Sequence, residues 1–521
     1  MTPLRYTRPT VLQFLIHDPK GPSRERPPMR AHLLGRDDQP VAGTVELIDG
    51  RLVCKPEDGT ATALCLEFDA EPVGCLMLQT CLLPQRDEPY LLNLELARHR
   101  ISRYIAKGEE WLLFDPASGG DSFKIWERAR TLFVHAMNEP NAVVAEGKAR
   151  ESLVAAIEAS ERLAMMQAEG ALQRRYGQRK ASSTVIGVRV DPRLDPAKTG
   201  GAAKEFDVVA VETPWSEIEP EPGKFRFDAV DRWMALAAQH KRPIVAGPLL
   251  CFDAGWVPTW MEKLKGDYKA IVDRSYIFME QVVHRYRAVA TLWNLCSGLH
   301  TNAWYPFSDS ERIDLTRRAA LLARQSRRGA RTLVELGDPF GETISDHKRS
   351  ITAWTFLERL MQEGIHLDAV GMQMRMGDRG AGFGVRDMLQ VSAALDRFMG
   401  FECKVMLSAV GVPSEPVKGA GWWRRAWSPA MQEAWASSLV TVALSKPFVE
   451  TLVWERLGDT PGVARGACGL LDAANVPKPA AKKLLAIRNR LQKPLLAPKP
   501  DAPKASNVEA NDETAAGSPP A

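Results

Sequence analysis

Two acidic side chains at the ends of predicted strands are of a type that could support acid–base hydrolysis. Glu212 follows the apolar run Val208–Val211, and Glu455 follows an apolar run that ends at Trp454. Side chains alternate between the faces of a strand, so Glu212 shares the face of Ala210 and is expected to point into a pocket. Two carboxyl groups whose surroundings separate their pKa values can act as general acid and general base. Glu212 and Glu455 are therefore predicted as candidate catalytic residues.

The same carboxylates have a structural interpretation. An acid at the end of a strand can cap the next helix or pair with a basic side chain, and three arginines are candidate partners: Arg189, Arg375 and Arg456. In that case the acids hold the fold together and catalyse nothing. The sequence favours this structural role and leaves the catalytic role as the alternative.

Glu212 belongs to one predicted strand, loop and helix unit. The preceding run at residues 206–210 is short, apolar and bounded by polar residues, which is typical of a buried parallel strand. Residues 211–227 are expected to form a long loop that carries Trp215 and several acids. Asp228 is predicted to cap a helix that runs to His240. This order places the loop at the carboxyl end of its strand, where active sites of α/β barrels lie.

Similar units repeat between residues 183 and 494. Eight strands that alternate with helices predict an α/β fold, a (β/α)8 TIM barrel. A doubly wound open sheet is the alternative, but no glycine-rich phosphate loop follows the first strand. The predicted strands are Val185–Val190, Val208–Val211, Pro243–Cys251, Thr291–Cys296, Thr332–Leu336, Ala369–Met376, Lys404–Val410 and Thr451–Trp454.

The rest of the chain divides by composition. Residues 1–120 are predicted to form a smaller β-rich domain, in which Thr44–Lys55 is a hairpin around an Asp49-Gly50 turn. Residues 121–180 read as a helical connector, and residues 495–521 as a disordered tail rich in Pro and Ala.

The loop after the second predicted barrel strand closely resembles a known family. Residues 219–227 read Glu-Pro-Glu-Pro-Gly-Lys-Phe-Arg-Phe and are preceded by Trp215, as in the xylanase-like barrels of glycoside hydrolase family 10. The similarity continues in the family's order at Leu292–Gly298 and Ala369–Gln373, and it covers the whole predicted barrel. The resemblance implies a retaining glycosidase, which needs two carboxyl groups about 5–5.5 Å apart.

Both catalytic positions depart from that pattern. The family's acid/base Glu aligns with Gly298, and its nucleophilic Glu aligns with Ala409. A further family position, a His near the end of the sixth strand, aligns with Arg375. A hydrogen atom and a methyl group can neither donate a proton nor form a glycosyl ester, so the family's mechanism is predicted to be lost.

Other positions could still hold a ligand. Three of them keep the family's residue, and two further polar side chains are placed at the barrel mouth. Tryptophan rings can stack on sugar faces, whereas packing at the top of the barrel is the alternative role. The predicted ligand-binding residues are Trp215, Gln373, Arg375, Trp454 and Asp253.

Residues 422–427, which read Trp-Trp-Arg-Arg-Ala-Trp, form the densest aromatic and basic cluster. They follow the seventh barrel strand. The cluster could be a platform for a negatively charged ligand through cation–π and guanidinium contacts. We favour the alternative, a lid packed over the barrel mouth.

Composition excludes several classes of function. The 521 residues are 45% hydrophobic and carry a net charge of +4 from 68 basic and 64 acidic side chains, which gives no case for nucleic-acid binding. No run of about 18 apolar residues could span a membrane, and the first residues lack a signal-peptide pattern. The chain is therefore expected to be cytoplasmic, with no membrane or nucleic-acid partner.

Cysteine and histidine usage points away from bound metal. The eight cysteines form no Cys-x-x-Cys pair, and the nine histidines form no His-Glu-x-x-His spacing. We expect buried free thiols, no metal and no cofactor.

The combined prediction is a family 10-like barrel that binds an oligosaccharide or another polar ligand without hydrolysing it. One alternative is an active, endo-xylanase-like glycoside hydrolase that uses displaced carboxylates. The other is a scaffold whose amino-terminal domain binds a protein partner.

Overall fold

The computed structural model describes residues 11–17, 30–57, 60–176, 184–344, 346–380, 382–401, 403–460 and 467–492. The predicted tail at residues 495–521 lies outside this set. No helix in the described ranges is both long enough and apolar enough to span a bilayer.

Short antiparallel strands dominate the amino-terminal region. One sheet has the order β4-β5-β1-β8, and the other contains β7-β6-β2-β3. The predicted Asp49-Gly50 hairpin is confirmed: both turn residues have positive φ, 48° and 75°, as a type I′ turn requires. The strands are β1 Leu12–Leu15, β2 His32–Leu34, β3 Pro40–Val41, β4 Gly43–Ile48, β5 Arg51–Pro56, β6 Ala63–Asp69, β7 Gly74–Gln79 and β8 Tyr90–Leu91.

Three long helices follow the strands. They are α1 Leu92–Glu110, α2 Pro116–Met137 and α3 Ala142–Tyr176. Their facing sides share an apolar cluster in which Tyr104 stacks on Trp126 at 5.7 Å between ring centroids. Helix α2 ends at Met137, just before Glu139-Pro140, because a proline disfavours helical geometry at the residue that precedes it.

The carboxyl-terminal region is the predicted (β/α)8 barrel. All neighbouring strands of the barrel are parallel. The last strand pairs with the first, Thr451–Trp454 with Val185–Val188, and this pairing closes the sheet. Its strands are β9 Val185–Val190, β10 Val208–Val211, β11 Ile244–Ala246, β12 Leu250–Cys251, β13 Leu292–Ser297, β14 Arg331–Leu336, β15 Ala369–Arg375, β16 Val405–Gly411, β17 Trp422–Trp423 and β18 Val449–Trp454. Strand β17 lies outside the barrel.

Helices surround this sheet. They are α4 Pro196–Ala203, α5 Trp215–Ile218, α6 Asp228–Gln239, α7 Tyr268–Tyr286, α8 Asp309–Ser326, α9 Ala353–Gln362, α10 Met388–Arg397, α11 Pro429–Ser445 and α12 Pro479–Gln492. The prediction that Asp228 caps α6 is wrong. Phe227 is the cap residue, and Asp228 lies in the first turn, where its charge suits the positive end of the helix dipole.

The third barrel strand also differs from its prediction. The expected strand Pro243–Cys251 is split into β11 and β12 by Gly247 and Pro248. Gly247 has φ +123°, and a β-carbon there would approach the Asn294 carbonyl oxygen to 2.5 Å. Proline has no N–H for the ladder, so the two residues interrupt the strand.

Candidate functional site

The barrel interior changes from apolar to polar along each strand. Seven buried side chains form an apolar layer inside the barrel, to which Ala210, Leu333 and Val453 belong. Two residues further along the same strands, the same inward face carries Glu212, Glu335 and Glu455. Since side chains on one strand face repeat every second residue, three carboxylates come together at the carboxyl end of the barrel.

A buried ion pair crosses this polar layer. The Arg189 guanidinium on β9 donates to the Glu335 carboxylate on β14 and to the Ser408 carbonyl oxygen at 2.9 Å. Glu335 is fully buried and also accepts a hydrogen bond from Asn294 Nδ2 at 3.3 Å. Burial raises the pKa of Glu335, but the charge of Arg189 and its hydrogen bond outweigh burial and lower that pKa to about 2. Glu335 therefore stays ionised at neutral pH.

Sequence reasoning missed Glu335. Its signal was an acidic residue inside the apolar run Thr332–Leu336, in phase with Leu333. A charge in such a run needs a buried partner, and that partner is supplied from the opposite side of the barrel.

Above the ion pair lies a cavity of about 340 Å³. The predicted residues Glu212, Asp253, Gln373, Arg375 and Glu455 all line it. The Arg375 guanidinium donates to the side-chain oxygen of Gln373. The side-chain amide nitrogen of Gln373 in turn donates to Ser297 Oγ at 3.0 Å. Glu212 lies 3.8 Å from Arg189, so its carboxylate faces the same guanidinium as Glu335. Five of the predicted site residues are thus brought together.

Two predicted ligand-binding tryptophans lie elsewhere. Trp215 is 3% exposed, stacks on Phe278 and donates from its indole N–H to the Glu219 carboxylate at 2.8 Å. Trp454 is fully buried and donates to the Cys468 carbonyl oxygen at 2.8 Å. Neither lines the cavity. Each ring packs within the protein core, away from the mouth cavity, and a ligand-binding role for these two residues stays a prediction.

The cluster at residues 422–427 is not a lid. Trp422 and Trp423 pair antiparallel with β7 and extend the amino-terminal sheet. The buried Trp423 indole and the Arg424 guanidinium both donate to Glu161 on α3 at 2.8 Å. The cluster therefore contacts the amino-terminal region through β7 and α3. None of its residues lines the mouth cavity.

Within the part of the chain that the structure describes, no group of three or more His, Cys, Asp or Glu side chains is arranged so that it could hold a metal ion. All eight cysteines are free thiols, and all but Cys81 and Cys403 are buried.

Comparison with known families decides the ancestry. A sequence model of glycosyl hydrolase family 10 matches residues 177–486, more than half of the chain. The chain belongs to glycosyl hydrolase family 10. No curated protein matches the sequence.

Solved structures similar to this family 10 chain include xylanases of low sequence identity. Xylanase 10B of Thermotoga petrophila, solved with xylobiose, is 15% identical over 59% of this chain and 95% of its own, with a TM-score of 0.44. Xylanase B of Clostridium stercorarium F9 is 16% identical over 61% and 98%, with a TM-score of 0.44. GH10 of Paenibacillus barcinonensis is 17% identical over 59% and 96%, with a TM-score of 0.45.

The two positions that the resemblance assigns to catalysis in family 10 both lie at the mouth. Ala409 is 1% exposed, lines the cavity and lies opposite Gln373 on the neighbouring strand. Gly298 follows β13 with φ +62°, and a β-carbon there would lie 3.6 Å from Asp253 Oδ1. Space for a side chain therefore remains at Gly298, although its backbone conformation favours glycine.

Proposed function

We propose that this family 10 barrel binds a glycan or another polar ligand at its mouth and does not hydrolyse it. The observation that carries the proposal is the chemistry at the two family positions: Gly298 has no side chain, and Ala409 presents only a methyl group. Neither group can protonate a leaving oxygen or form a covalent glycosyl intermediate.

The fully buried acid of the polar layer, Glu335, does not replace them. Glu335 is fully buried, and Arg189 holds its pKa at about 2. A general acid at neutral pH needs a raised pKa, as a carboxyl group in an apolar pocket has. The ion pair therefore supports a structural role for Glu335 beneath the ligand.

The cavity walls suit a ligand rich in hydroxyl groups. A volume of about 340 Å³ lies at the lower end of the range for small-molecule sites. Its wall carries both signs of charge, with Arg375 and Arg456 beside Asp253, Glu212 and Glu455. Hydroxyl groups both donate and accept hydrogen bonds, so a sugar can use guanidinium and carboxylate groups together. Arg375 also provides a partner for an acidic sugar.

Hydrolysis by displaced carboxylates is the second candidate, because Glu212 and Glu455 line the same cavity. Against it, the Glu212 carboxylate lies 3.8 Å from the Arg189 guanidinium, which also holds the Glu335 carboxylate. A hydrolase of this kind needs one of the two carboxyl groups to stay protonated near neutral pH.

Calorimetric titration of the full chain with xylo-, cello- and glucurono-oligosaccharides tests the proposal, together with an assay of reducing ends in the same samples. We expect saturable binding that Gln373→Ala and Arg375→Gln weaken, with no cleavage. Trp215→Phe serves as the control because Trp215 does not line the cavity. Cleavage that Glu212→Gln or Glu455→Gln abolishes would establish the hydrolase instead. Absence of saturable binding would favour the scaffold alternative.

A further inference from the structure

A second cavity lies where the amino-terminal sheet, helix α1 and helix α10 meet. It has a volume of about 520 Å³ and shares no lining residue with the mouth cavity. Strands β2, β6 and β7 contribute His32, Cys65 and Leu78, while α10 contributes Leu389. Three separate parts of the chain thus line one cavity, which we call the junction cavity.

One wall of the junction cavity is rich in guanidinium groups. Arg100 and Arg103 on α1 and Arg386 just before α10 all line it. Arg100 is ion-paired with the buried Asp387, and Arg386 with Glu342 at 2.9 Å. A guanidinium has five N–H donors, so a single carboxylate partner leaves others available.

Two of these donors are unused within the described residues. Arg100 is 4% exposed and Arg386 is 3% exposed. The Nε group of Arg100 and the Nη1 group of Arg386 are buried and have no hydrogen-bond partner among the residues that the structure describes. Buried donors are nearly always satisfied, so these two guanidinium groups retain hydrogen-bonding capacity that the residues around them do not use.

The local charge agrees with an anionic ligand. Loss of hydration, followed by the positive charges of Arg103 and Arg100, lowers the pKa of His99 in the same wall to about 3. Lys107 contributes little to this charge because Glu110 neutralises it at 2.8 Å. Arg100 is likewise paired with Asp387, so Arg103, the larger of the two charge effects on His99, supplies most of the positive field there.

We propose that the junction cavity binds a small organic anion, with an oxyanion head against Arg100, Arg103 and Arg386. Arginine is suited to phosphate and carboxylate because its planar N–H groups bind two oxygens at once. The apolar part of the ligand packs against leucines of the same wall, among them Leu78, Leu96 and Leu389. The amino-terminal sheet, α1 and the barrel all contact the ligand, so its binding links these three parts.

Calorimetric titrations of the full chain with phenyl phosphate, inorganic phosphate, benzoate and phenol test this site. We expect at least one of the two aromatic anions to bind with a Kd below about 1 mM, and phenol not to bind. The stronger of phenyl phosphate and benzoate distinguishes a phosphate head from a carboxylate head. No saturation by any anion up to about 10 mM would overturn the proposal.

Substitutions of single arginines test whether the anion binds in the junction cavity. Arg103→Gln is expected to raise the Kd about tenfold, since one charge-assisted contact is lost. Arg128→Gln, an exposed substitution on α2, is the matched control and should leave the Kd unchanged. Loss of binding in Arg375→Gln with no effect of Arg103→Gln would place the anion at the barrel mouth and overturn the proposal.

The pKa of His99 can be measured in the wild-type chain, so this test does not depend on the folding of any variant. A bound anion offsets the charges of Arg100 and Arg103, so the pKa of His99, followed by NMR, should rise upon titration with the anion. A His99 signal that does not respond at saturating anion would contradict the assignment.

Discussion

Replacing Glu335 with Gln measures how strongly the buried ion pair stabilises the barrel. The pKa of Glu335 falls from its ordinary value of 4.5 to about 2, and a shift of this size corresponds to about 3 kcal/mol of stability at neutral pH. Removing one charge of a buried pair costs about 3–5 kcal/mol, because the other charge stays buried. We therefore expect Glu335→Gln to lower the free energy of unfolding by about 3 kcal/mol at pH 7.

The effect should depend on pH in a defined direction. The pKa of Glu335 is lower in the folded chain, so its stabilisation is complete above about pH 4.5 and is lost as the pH falls towards about 2. The difference in unfolding free energy between the wild type and Glu335→Gln should shrink over that interval. Urea unfolding followed by tryptophan fluorescence, at pH values from about 7 down to about 3, measures this difference.

Two controls separate the ion pair from other causes. The double variant Arg189→Met/Glu335→Met removes both charges and should recover most of the lost stability. Glu46→Gln breaks the exposed Glu46–Lys55 pair at 3.2 Å and should change stability by less than about 1 kcal/mol. The reasoning is refuted if Glu335→Gln lies within about 0.5 kcal/mol of the wild type at pH 7, or if the difference is the same at every pH.

Three further substitutions test the fold and the site. Gly247→Ala should cost about 1–3 kcal/mol in urea unfolding, because its β-carbon would meet the Asn294 carbonyl oxygen at 2.5 Å, whereas Gly255→Ala has open space and should cost less. Trp423→Ala should cost about 3–5 kcal/mol and speed hydrogen exchange in β7, its partner strand. Trp215→Phe should cost about 1–3 kcal/mol by removing the indole donor from one oxygen of the buried Glu219 carboxylate, with no change in the Kd for sugars. Equal costs at the two glycines, unchanged exchange in β7, or a weaker sugar Kd would each contradict the corresponding role.

The barrel could be predicted because its signals are local. Each parallel strand is buried on both faces and so appears as a continuous apolar run, such as Val208–Val211. The same two-residue period that buries Ala210 turns Glu212 into the mouth cavity, which the sequence also predicted. The split of the third strand could have been recognised from Gly247-Pro248, since proline interrupts a central strand.

What the sequence did not reveal depends on residues far apart in the chain. Arg189 and Glu335 are separated by 146 positions, so no local pattern shows that they pair. Trp215 and Trp454 have the family's residue type, yet their burial is set by contacts with helices elsewhere in the chain. The role of Trp423 likewise follows from its pairing with β7, in a region that the family model does not cover.

The most direct test of the central claim is one titration of the full chain with xylo-oligosaccharides, in which bound sugar and newly formed reducing ends are measured in the same samples. The proposal predicts saturable binding that Gln373→Ala weakens, while the sugar remains intact. Release of shorter sugars by the wild type, abolished in Glu212→Gln or Glu455→Gln, would contradict it.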